Sequence, residues 1–150
     1  MKKDTPEILF VCTGNTCRSP MAEAIWKAMG GHGASAGVSS WSDQPAAAGA
    51  RAAVRRYGGT LGHHRSRDLE AVSDEPDLVL TMTESQRLQV IQRKPDWEGR
   101  TFCLGDYVGE PGDIMDPIGQ DQETYQAVAD HLHALLTRLK ETLDQKNREP

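Results

Sequence analysis

Residues whose side chains could take part in a reaction are concentrated in one short segment near the start of this 150-residue chain. A cysteine and an arginine, Cys12 and Arg18, are separated by five residues that include Gly14. A loop of this length can turn its successive backbone N–H groups toward one point, and such a concave loop binds tetrahedral oxyanions. The guanidinium of Arg18 can hold two phosphate oxygens, and the same field stabilises a thiolate at Cys12. The segment therefore predicts a cysteine nucleophile inside an anion-binding loop.

The flanking residues place this loop between a strand and a helix. Upstream, residues 8–11 form a short apolar run, which predicts a buried strand of a parallel sheet. Downstream, Ser19 is expected to cap a helix that has Pro20 at its first position and stops before Gly30 and Gly31. The N-terminus of that helix would add free N–H groups and partial positive charge to the anion site.

A structural interpretation of Cys12 has to be weighed against the catalytic one. Free cysteines are among the most buried residues, so Cys12 alone would be interpreted as the apolar end of a strand. That interpretation does not explain the turn glycine, the arginine, the serine and the proline that follow in register. The combination favours a catalytic cysteine.

Residues 11–23, VCTGNTCRSPMAE, resemble the active-site signature of the low-molecular-weight protein tyrosine phosphatase family. Within that family, the chain is most similar to the bacterial protein arginine phosphatases. The resemblance covers nearly the whole chain, because it continues through residues 35–38, 62–67, 77–82 and 113–117. It implies a phosphatase that forms a phosphocysteine at Cys12, acts on phosphorylated proteins and needs no metal or other cofactor.

The second half of such a mechanism requires a carboxylic acid opposite the nucleophile, because the leaving oxygen or nitrogen does not depart unprotonated. Asp116 precedes Pro117 and matches the general acid of the family. The proline keeps Asp116 out of a helical conformation, which suits a side chain aimed from a loop. From the residues alone, an ordinary Asp-Pro turn is an alternative, and so are the nearby carboxylates Asp106 and Asp113.

The resemblance gives Thr16 the leading role in substrate choice. Tyrosine phosphatases of the family usually carry isoleucine at this position, where it packs on the phenol ring, whereas threonine is typical of the arginine phosphatases. A hydroxyl can hydrogen-bond a phosphorylated guanidinium, and the short side chain leaves room for it. Trp41 aligns with an aromatic wall that can stack on either substrate. Ile118 departs from both patterns, which have an aromatic residue there.

The resemblance also assigns the remaining positions of the site. Asn15, Ser19, Ser35 and His64 match residues that brace the loop through hydrogen bonds, although a surface histidine is an equally good interpretation of His64. The loop residues expected to contact phosphate or substrate are Thr13, Gly14, Asn15, Thr16 and Cys17.

Three cysteines cannot all pair in disulfides, and no signal peptide is recognised, so we expect a reducing, cytoplasmic location. The resemblance gives Cys17 a redox role, in which a reversible disulfide with Cys12 protects the nucleophile. The alternative is that Cys17 only packs beneath the loop. Cys103 is expected to lie in a buried strand.

Other function classes are less favoured. Arsenate reductases resemble this chain in the cysteine loop but need two further cysteines, and residues 70–98, where they would be expected, contain none. A silent oxyanion-binding module would need neither Cys12 nor Asp116. The net charge of −5, without a long basic run, argues against nucleic acid, and no apolar run approaches membrane-spanning length. We expect a monomer.

Strands and helices alternate along the chain, which predicts an α/β fold with helices on both faces of a parallel sheet. The predicted strands are residues 7–11, 34–39, 78–82 and 101–104. The predicted helices are residues 20–29, 45–57, 84–94 and 122–145, the last with an apolar stripe at helical spacing. Residues 1–150 are expected to form one domain. The resemblance implies a Rossmann-like three-layer sandwich with a four-stranded sheet and the active site at the carboxyl end of the first strand.

Overall fold

Four parallel strands form one sheet in a computed structural model that describes residues 6–148. The order is β2-β1-β3-β4, with β1 at Glu7–Cys12, β2 at His32–Gly37, β3 at Leu78–Thr81 and β4 at Thr101–Cys103. The strand that follows β1 in sequence, β2, lies on one side of it, and β3 lies on the other. The carboxyl end of β1 is therefore at the point where ligands bind in such sheets. The predicted single-domain α/β fold is confirmed; residues 1–5 and 149–150 of the expected domain lie outside the described residues.

Helices cover both faces of the sheet. In the described part of the chain they are α1 (Arg18–Ala28), α2 (Ala48–Val54), α3 (Glu84–Arg93), α4 (Leu104–Tyr107) and α5 (Gln122–Arg148). Short 3-10 helices occupy Arg55–Tyr57, Leu69–Ala71 and Pro95–Arg100. Within residues 6–148, no helix is long and apolar enough to cross a membrane.

Alternate side chains of β1 enter two separate cores. Ile8 and Phe10 pack with α1, α2 and α5 on one face, whereas Leu9 and Val11 pack with α3 and the 3-10 helix after it on the other. Burial of each such side chain contributes about 1.5–3 kcal/mol. This burial on both faces explains why the strand is a continuous apolar run, and it gives the loop after β1 a rigid base.

The apolar stripe of the last helix is confirmed. Its residues face the core beside α1 and α2, and all are buried except the partly buried last one: Tyr125, Val128, Leu132, Leu135, Leu136, Leu139 and Leu143. The helix extends three residues beyond the predicted end, to Arg148.

The predicted start of the first helix is wrong. α1 begins at Arg18, with Cys17 in the capping position, so Ser19 lies within the first turn and caps nothing. Pro20 occupies the third helical position, which is still allowed because first-turn N–H groups have no intrahelical partner. The Ser19 hydroxyl is instead held against the Cys12 sulfur, 2.9 Å away. A tertiary contact has therefore overridden the local capping preference of serine.

Other boundaries also differ from prediction, most of them by one or two residues. β2 ends at Gly37, because the next two N–H groups bond to carbonyls of Cys12 and Thr13, where β1 gives way to the loop. The predicted helix 45–57 is shortened to α2 and a 3-10 turn. β4 ends at Cys103, which is buried in a strand as predicted, and α4 begins at the next residue.

Candidate active site

The loop between β1 and α1 curls around a pocket of about 130 Å³ at the carboxyl edge of the sheet. Cys12 ends β1, and Arg18 begins α1. Their side chains reach the pocket from an almost fully buried setting, with residue exposures of 2% and 5%. Asp116 reaches the same pocket from the loop before α5. The described residues that line it are Cys12, Thr13, Gly14, Thr16, Cys17, Arg18, Asp116 and Ile118.

Two polar groups contact the Cys12 sulfur. The Asn15 N–H donates to Sγ at 3.3 Å, and the Ser19 Oγ lies 2.9 Å from Sγ. Asn15 Nδ2 donates to the Ser19 Oγ at 2.9 Å, which leaves the hydroxyl hydrogen of Ser19 free to donate to the sulfur. Both groups can stabilise negative charge on the sulfur, as a nucleophilic thiolate requires.

Asn15 is the centre of the hydrogen bonds that hold the loop. It is fully buried, and its φ of 59° is in the left-handed region that asparagine tolerates. Its Nδ2 also donates to the Ser35 Oγ at 2.9 Å, and its Oδ1 accepts from the Arg67 N–H at 3.0 Å. Its carbonyl accepts from His64 Nε2 at 2.8 Å, so that nitrogen carries a proton. Ser19, Ser35 and His64 thus all contact the residue that shapes the loop.

The network continues away from the loop through charged groups. Because Asn15 Nδ2 can only donate, the Ser35 hydroxyl accepts this bond and donates its own hydrogen to Glu23 Oε1, at 2.7 Å. The other oxygen of Glu23 accepts from the Lys27 ammonium at 2.6 Å. Every hydrogen bond in this series has only one possible direction, which fixes the Asn15 side chain in one orientation.

We expect Asn15→Ala to lower the free energy of unfolding by about 3 kcal/mol, because it removes three side-chain hydrogen bonds from a buried site. Urea unfolding at neutral pH would measure the change. Asp43→Ala is the matched control, because Asp43 also has a positive φ, 67°, but is exposed. It should cost only the backbone strain of about 1 kcal/mol. Equal losses in the two variants would contradict the assigned role of the Asn15 side chain.

Arg18 connects the anion loop with the loop that carries the predicted acid. Its Nη1 donates to the Ile114 carbonyl at 3.0 Å, and its Nη2 lies 3.4 Å from Asp116 Oδ2. Asp116 Oδ1 accepts the Ile118 N–H at 3.1 Å, which orients the carboxylate. The Asp116 side chain is 43% exposed, so water reaches it. A guanidinium, a carboxylate and a thiol thus share one small pocket.

The two alternative carboxylates lie elsewhere. Asp113 Oδ1 accepts the Glu84 N–H at 3.0 Å, at the start of α3. Asp106 is in α4, beside Glu84 and Cys103. Neither lines the pocket of Cys12. Asp116 is therefore the carboxylate that the geometry favours as the acid.

Cys17 faces the same pocket, with its Sγ 3.5 Å from the Tyr125 Oη and 3.8 Å from the Thr16 Oγ1. Burial, the largest effect, raises the pKa of the Cys17 thiol above its ordinary value, and the hydrogen bond from Tyr125 opposes this rise only in part. At neutral pH Cys17 is thus a thiol.

The two predicted wall residues are placed differently. Ile118 lines the pocket and is 61% exposed. Trp41 does not line the pocket, and 85% of it is exposed. Its carbonyl accepts from the Ser40 and Ser66 hydroxyls, and the Ser40 hydroxyl also contacts the Gly14 carbonyl at 2.9 Å. The Trp41 backbone is therefore anchored beside the loop, while its ring stands free in solvent.

One cluster among residues 6–148 has the composition of a metal site. Ligand atoms of Glu84, Cys103 and Asp106 lie within 4.8 Å of one another. Arg87 already neutralises Glu84, and its hydrogen bonds are the largest cause lowering the pKa of Glu84 to about 2. Burial and the neighbouring Glu84 raise the pKa of the Cys103 thiol to about 11. A cation would have to displace both the arginine and a tightly held proton.

A larger cavity, about 370 Å³, lies at the amino-terminal side of the sheet, away from the loop. Its polar lining is mostly acidic, with Glu7, Asp74 and Glu75 alongside Arg67. No cysteine, serine or histidine borders it in the described chain. The chemistry that the sequence predicts is therefore concentrated in the smaller pocket.

Several residues that contact the site were not predicted, among them Gln86, Tyr125 and Ile114. Gln86 donates to the Thr13 hydroxyl, Tyr125 contacts Cys17, and the carbonyl of Ile114 holds Arg18. The spacing of Thr83 and Gln86 is a capping-box signal for the start of α3, and the structure has that box. The signal locates the helix but gives no indication that Gln86 reaches the anion loop.

Comparison with known proteins agrees with this geometry. Residues 7–149 match the family described as low molecular weight phosphotyrosine protein phosphatase. A protein-arginine-phosphatase of Geobacillus stearothermophilus is 39% identical over 140 residues, which cover 91% of this chain and 95% of that protein. The low molecular weight protein-tyrosine-phosphatase PtpB of Staphylococcus haemolyticus is 36% identical over 139 residues, covering 89% and 96%.

A solved structure adds a chemical observation. It is a mutant of YwlE arginine phosphatase with a phosphorylated active site serine, 34% identical to this chain, with a TM-score of 0.85 and coverage of 95% and 98%. The whole-chain match, the fold and the arrangement of Cys12, Arg18 and Asp116 lead to one conclusion. This chain belongs to the low molecular weight phosphotyrosine protein phosphatase family.

Proposed function

We propose that this protein hydrolyses phosphoarginine in proteins, through a phosphocysteine formed on Cys12. The observation that carries the proposal is Thr16, whose side chain lines the pocket beside the nucleophile. Within residues 6–148, the contact made by its hydroxyl is with the Cys17 sulfur, at 3.8 Å, so the hydroxyl is available to a substrate. A protein-arginine-phosphatase is among the similar proteins.

The first chemical step is transfer of the phosphoryl group to sulfur. The guanidinium of Arg18 and the N–H groups of the loop hold the phosphoryl oxygens, and the Cys12 sulfur attacks phosphorus. As the P–N bond breaks, its electron pair goes to the guanidino nitrogen, which takes a proton from Asp116. Arginine leaves, and the phosphoryl group remains on Cys12.

The second step releases phosphate. Asp116, now a carboxylate, removes a proton from a water molecule that attacks the phosphocysteine. The P–S bond breaks, its electron pair returns to the sulfur of Cys12, and Ser19 and the Asn15 N–H stabilise the thiolate again. The partial exposure of Asp116 gives that water access.

The experiment that tests the substrate is a comparison of Thr16→Ile with the unchanged protein. Phosphate release from a phosphoarginine protein and from a phosphotyrosine protein is measured for both. We expect the unchanged protein to prefer phosphoarginine, and Thr16→Ile to move the ratio of kcat/KM toward phosphotyrosine by about 100-fold. A larger apolar side chain fills the room for the guanidinium and leaves its N–H groups unpaired.

Thr60→Val, a change at an exposed threonine outside the pocket, is the control and should leave the ratio unchanged. If the unchanged protein released phosphate only from phosphotyrosine, the second candidate would stand. That candidate is a protein tyrosine phosphatase, supported by the 36% identity to the protein-tyrosine-phosphatase PtpB.

We also propose that Cys12 and Cys17 form a protective disulfide. Peroxide converts the Cys12 thiolate to a sulfenic acid, and the Cys17 thiol condenses with it, releasing water and forming the S–S bond. We expect brief peroxide treatment to remove activity that dithiothreitol restores, and intact mass to show the loss of two hydrogens.

In Cys17→Ser, the same treatment should be largely irreversible, whereas Cys103→Ser, a control outside the pocket, should recover like the unchanged protein. Full recovery of Cys17→Ser would show that Cys17 only packs beneath the loop. Because Cys17 is held as a thiol at neutral pH, we expect the disulfide to form faster as the pH rises toward the raised pKa of that thiol.

The proposal also covers the partners, the oligomeric state and the cellular location of the protein. Phosphorylated proteins are the substrates, and the protein acts as a cytoplasmic monomer without nucleic acid or membrane partners. The three cysteines are free and buried, as suits a reducing compartment. The net charge of −5 would repel a nucleic acid backbone.

A further inference from the structure

Gln86 links the start of α3 to the anion loop. Its Oε1 accepts the N–H groups of Met82 and Thr83, both at 3.0 Å, and its Nε2 donates to the Thr13 Oγ1 at 3.1 Å. Two backbone donors face Oε1, so the orientation of the amide is fixed. The side chain is held from three directions, and the residue is only 2% exposed.

This contact determines which hydrogen bonds the Thr13 hydroxyl can still form with a substrate. Nε2 can only donate, so one lone pair of the Thr13 oxygen is occupied, while its hydrogen and its second lone pair remain. In the described part of the chain, the hydrogen bond to this hydroxyl comes from Gln86. Thr13 is exposed and lines the pocket beside Cys12. One donor and one acceptor are thus presented together next to the nucleophile.

A phosphorylated guanidinium has a matching pair of groups. Its phosphoryl oxygens accept hydrogen bonds, and the N–H groups adjoining the P–N bond donate them. A phosphorylated phenol has the phosphoryl oxygens but no N–H, so it can use only the hydrogen of the Thr13 hydroxyl. A site with a polar group positioned for one substrate discriminates against another that leaves the group unpaired.

We propose that Gln86 is a positioning residue that holds the Thr13 hydroxyl ready to bridge a phosphoryl oxygen and a guanidinium N–H of the substrate. The Thr13 hydroxyl, held by Gln86, is then a second determinant of phosphoarginine preference, in addition to Thr16. This inference rests on the proposed phosphoarginine activity and deepens it. Gln86 acts through Thr13 and need not touch the substrate.

The test is a double-mutant cycle with Thr13→Val and Gln86→Glu, with kcat/KM measured for a phosphoarginine peptide and a phosphotyrosine peptide of the same sequence. Thr13→Val deletes the hydroxyl at nearly constant shape. Gln86→Glu keeps an oxygen for the N–H groups of Met82 and Thr83, but its second oxygen accepts from the Thr13 hydroxyl and turns the hydrogen away from the substrate. The added charge is present both with and without the Thr13 hydroxyl, so the difference between the two backgrounds isolates the part of the effect that passes through the hydroxyl.

We expect Thr13→Val to lower the phosphoarginine to phosphotyrosine ratio by about tenfold, because only phosphoarginine loses an acceptor for its N–H. Gln86→Glu should instead lower kcat/KM for both substrates by about tenfold, because it withdraws the hydrogen offered to their phosphoryl oxygens, and it should not lower the ratio. In the Thr13→Val background, Gln86→Glu should lower kcat/KM much less, because its main effect passes through the hydroxyl. Thr13→Ser should restore most of the ratio, since it restores the hydroxyl.

Two results would overturn the inference. One is an unchanged ratio in Thr13→Val, and the other is an equal effect of Gln86→Glu with and without the Thr13 hydroxyl. If Gln86→Glu does not fold, judged by thermal unfolding, the comparison of Thr13→Val with Thr13→Ser still decides the role of the hydroxyl. Failure of the unchanged protein to hydrolyse phosphoarginine is a separate outcome, because it would reject the proposed function itself and the inference with it.

Discussion

Cys12→Ser should lower phosphate release by at least about 10⁴-fold under reducing conditions, the order expected when a nucleophile is removed. The serine hydroxyl is mostly protonated at neutral pH, and its alkoxide is a poor leaving group in the second step. The little phosphoryl group that is transferred should therefore stay on the protein. Intact mass spectrometry after incubation with a phosphoarginine protein should show one added phosphoryl group.

Cys12→Ala separates binding from bond formation, because it keeps the loop but can form no phosphoenzyme. It should be as inactive as Cys12→Ser and should gain no mass. Cys103→Ser tests the specificity of the effect, since that thiol is buried in β4 and lies outside the pocket. Activity surviving in Cys12→Ser near its original level would reject the cysteine mechanism.

Asp116→Asn should lower kcat for a phosphoarginine protein by about 10³-fold, because the amide cannot protonate the departing nitrogen. A chemically easy leaving group isolates this effect. With p-nitrophenyl phosphate, whose phenolate departs without a proton, the first step should be much less affected. A burst of p-nitrophenol followed by slow turnover is expected, since the same residue also activates water in the second step.

The control for this change is Asp113→Asn, a neighbouring carboxylate that accepts a backbone N–H outside the pocket. It should keep activity within about twofold of the unchanged protein. The ion pair between Asp116 and Arg18 is half exposed on the carboxylate side, so Asp116→Asn should hardly alter stability in urea. The reverse pattern, with Asp113→Asn inactive and Asp116→Asn active, would move the acid to Asp113.

The parts of the site that could be predicted are those encoded by neighbouring residues. A strand, a loop with Cys12 and Arg18, and the start of a helix follow one another within a few residues, so their register is a local property. Asp116 was preferred over Asp106 and Asp113 because Asp116-Pro117 resembles the family's acid, and the structure places Asp116 in the pocket of Cys12. The apolar stripe of α5 was found because its period is that of a helix.

The parts that could not be predicted depend on contacts between distant segments. Nothing near Gln86 indicates that its amide reaches Thr13, and the capping role of Ser19 was wrongly predicted because the contact with Cys12 exists only in the folded chain. Trp41 was expected on the pocket wall, yet it does not line the pocket, and only its carbonyl is held, beside the loop. Local sequence preference decides where helices form. Tertiary contacts decide whether a polar side chain caps its own helix or, like Ser19, bonds elsewhere.

The bond from Arg18 to the Ile114 carbonyl has a consequence for how this protein can change over evolution. Ile114 is held a second time by its N–H, which donates to the Met82 carbonyl at 2.9 Å, so both of its backbone polar groups are engaged. The Arg18 side chain is thus joined to main-chain atoms of the loop that carries Asp116, so the Ile114 side of this contact does not depend on the side chain at position 114. As long as Arg18 is kept, substitutions at Thr16 or Ile118 can then change the substrate without breaking the contact between the phosphate site and the loop of Asp116.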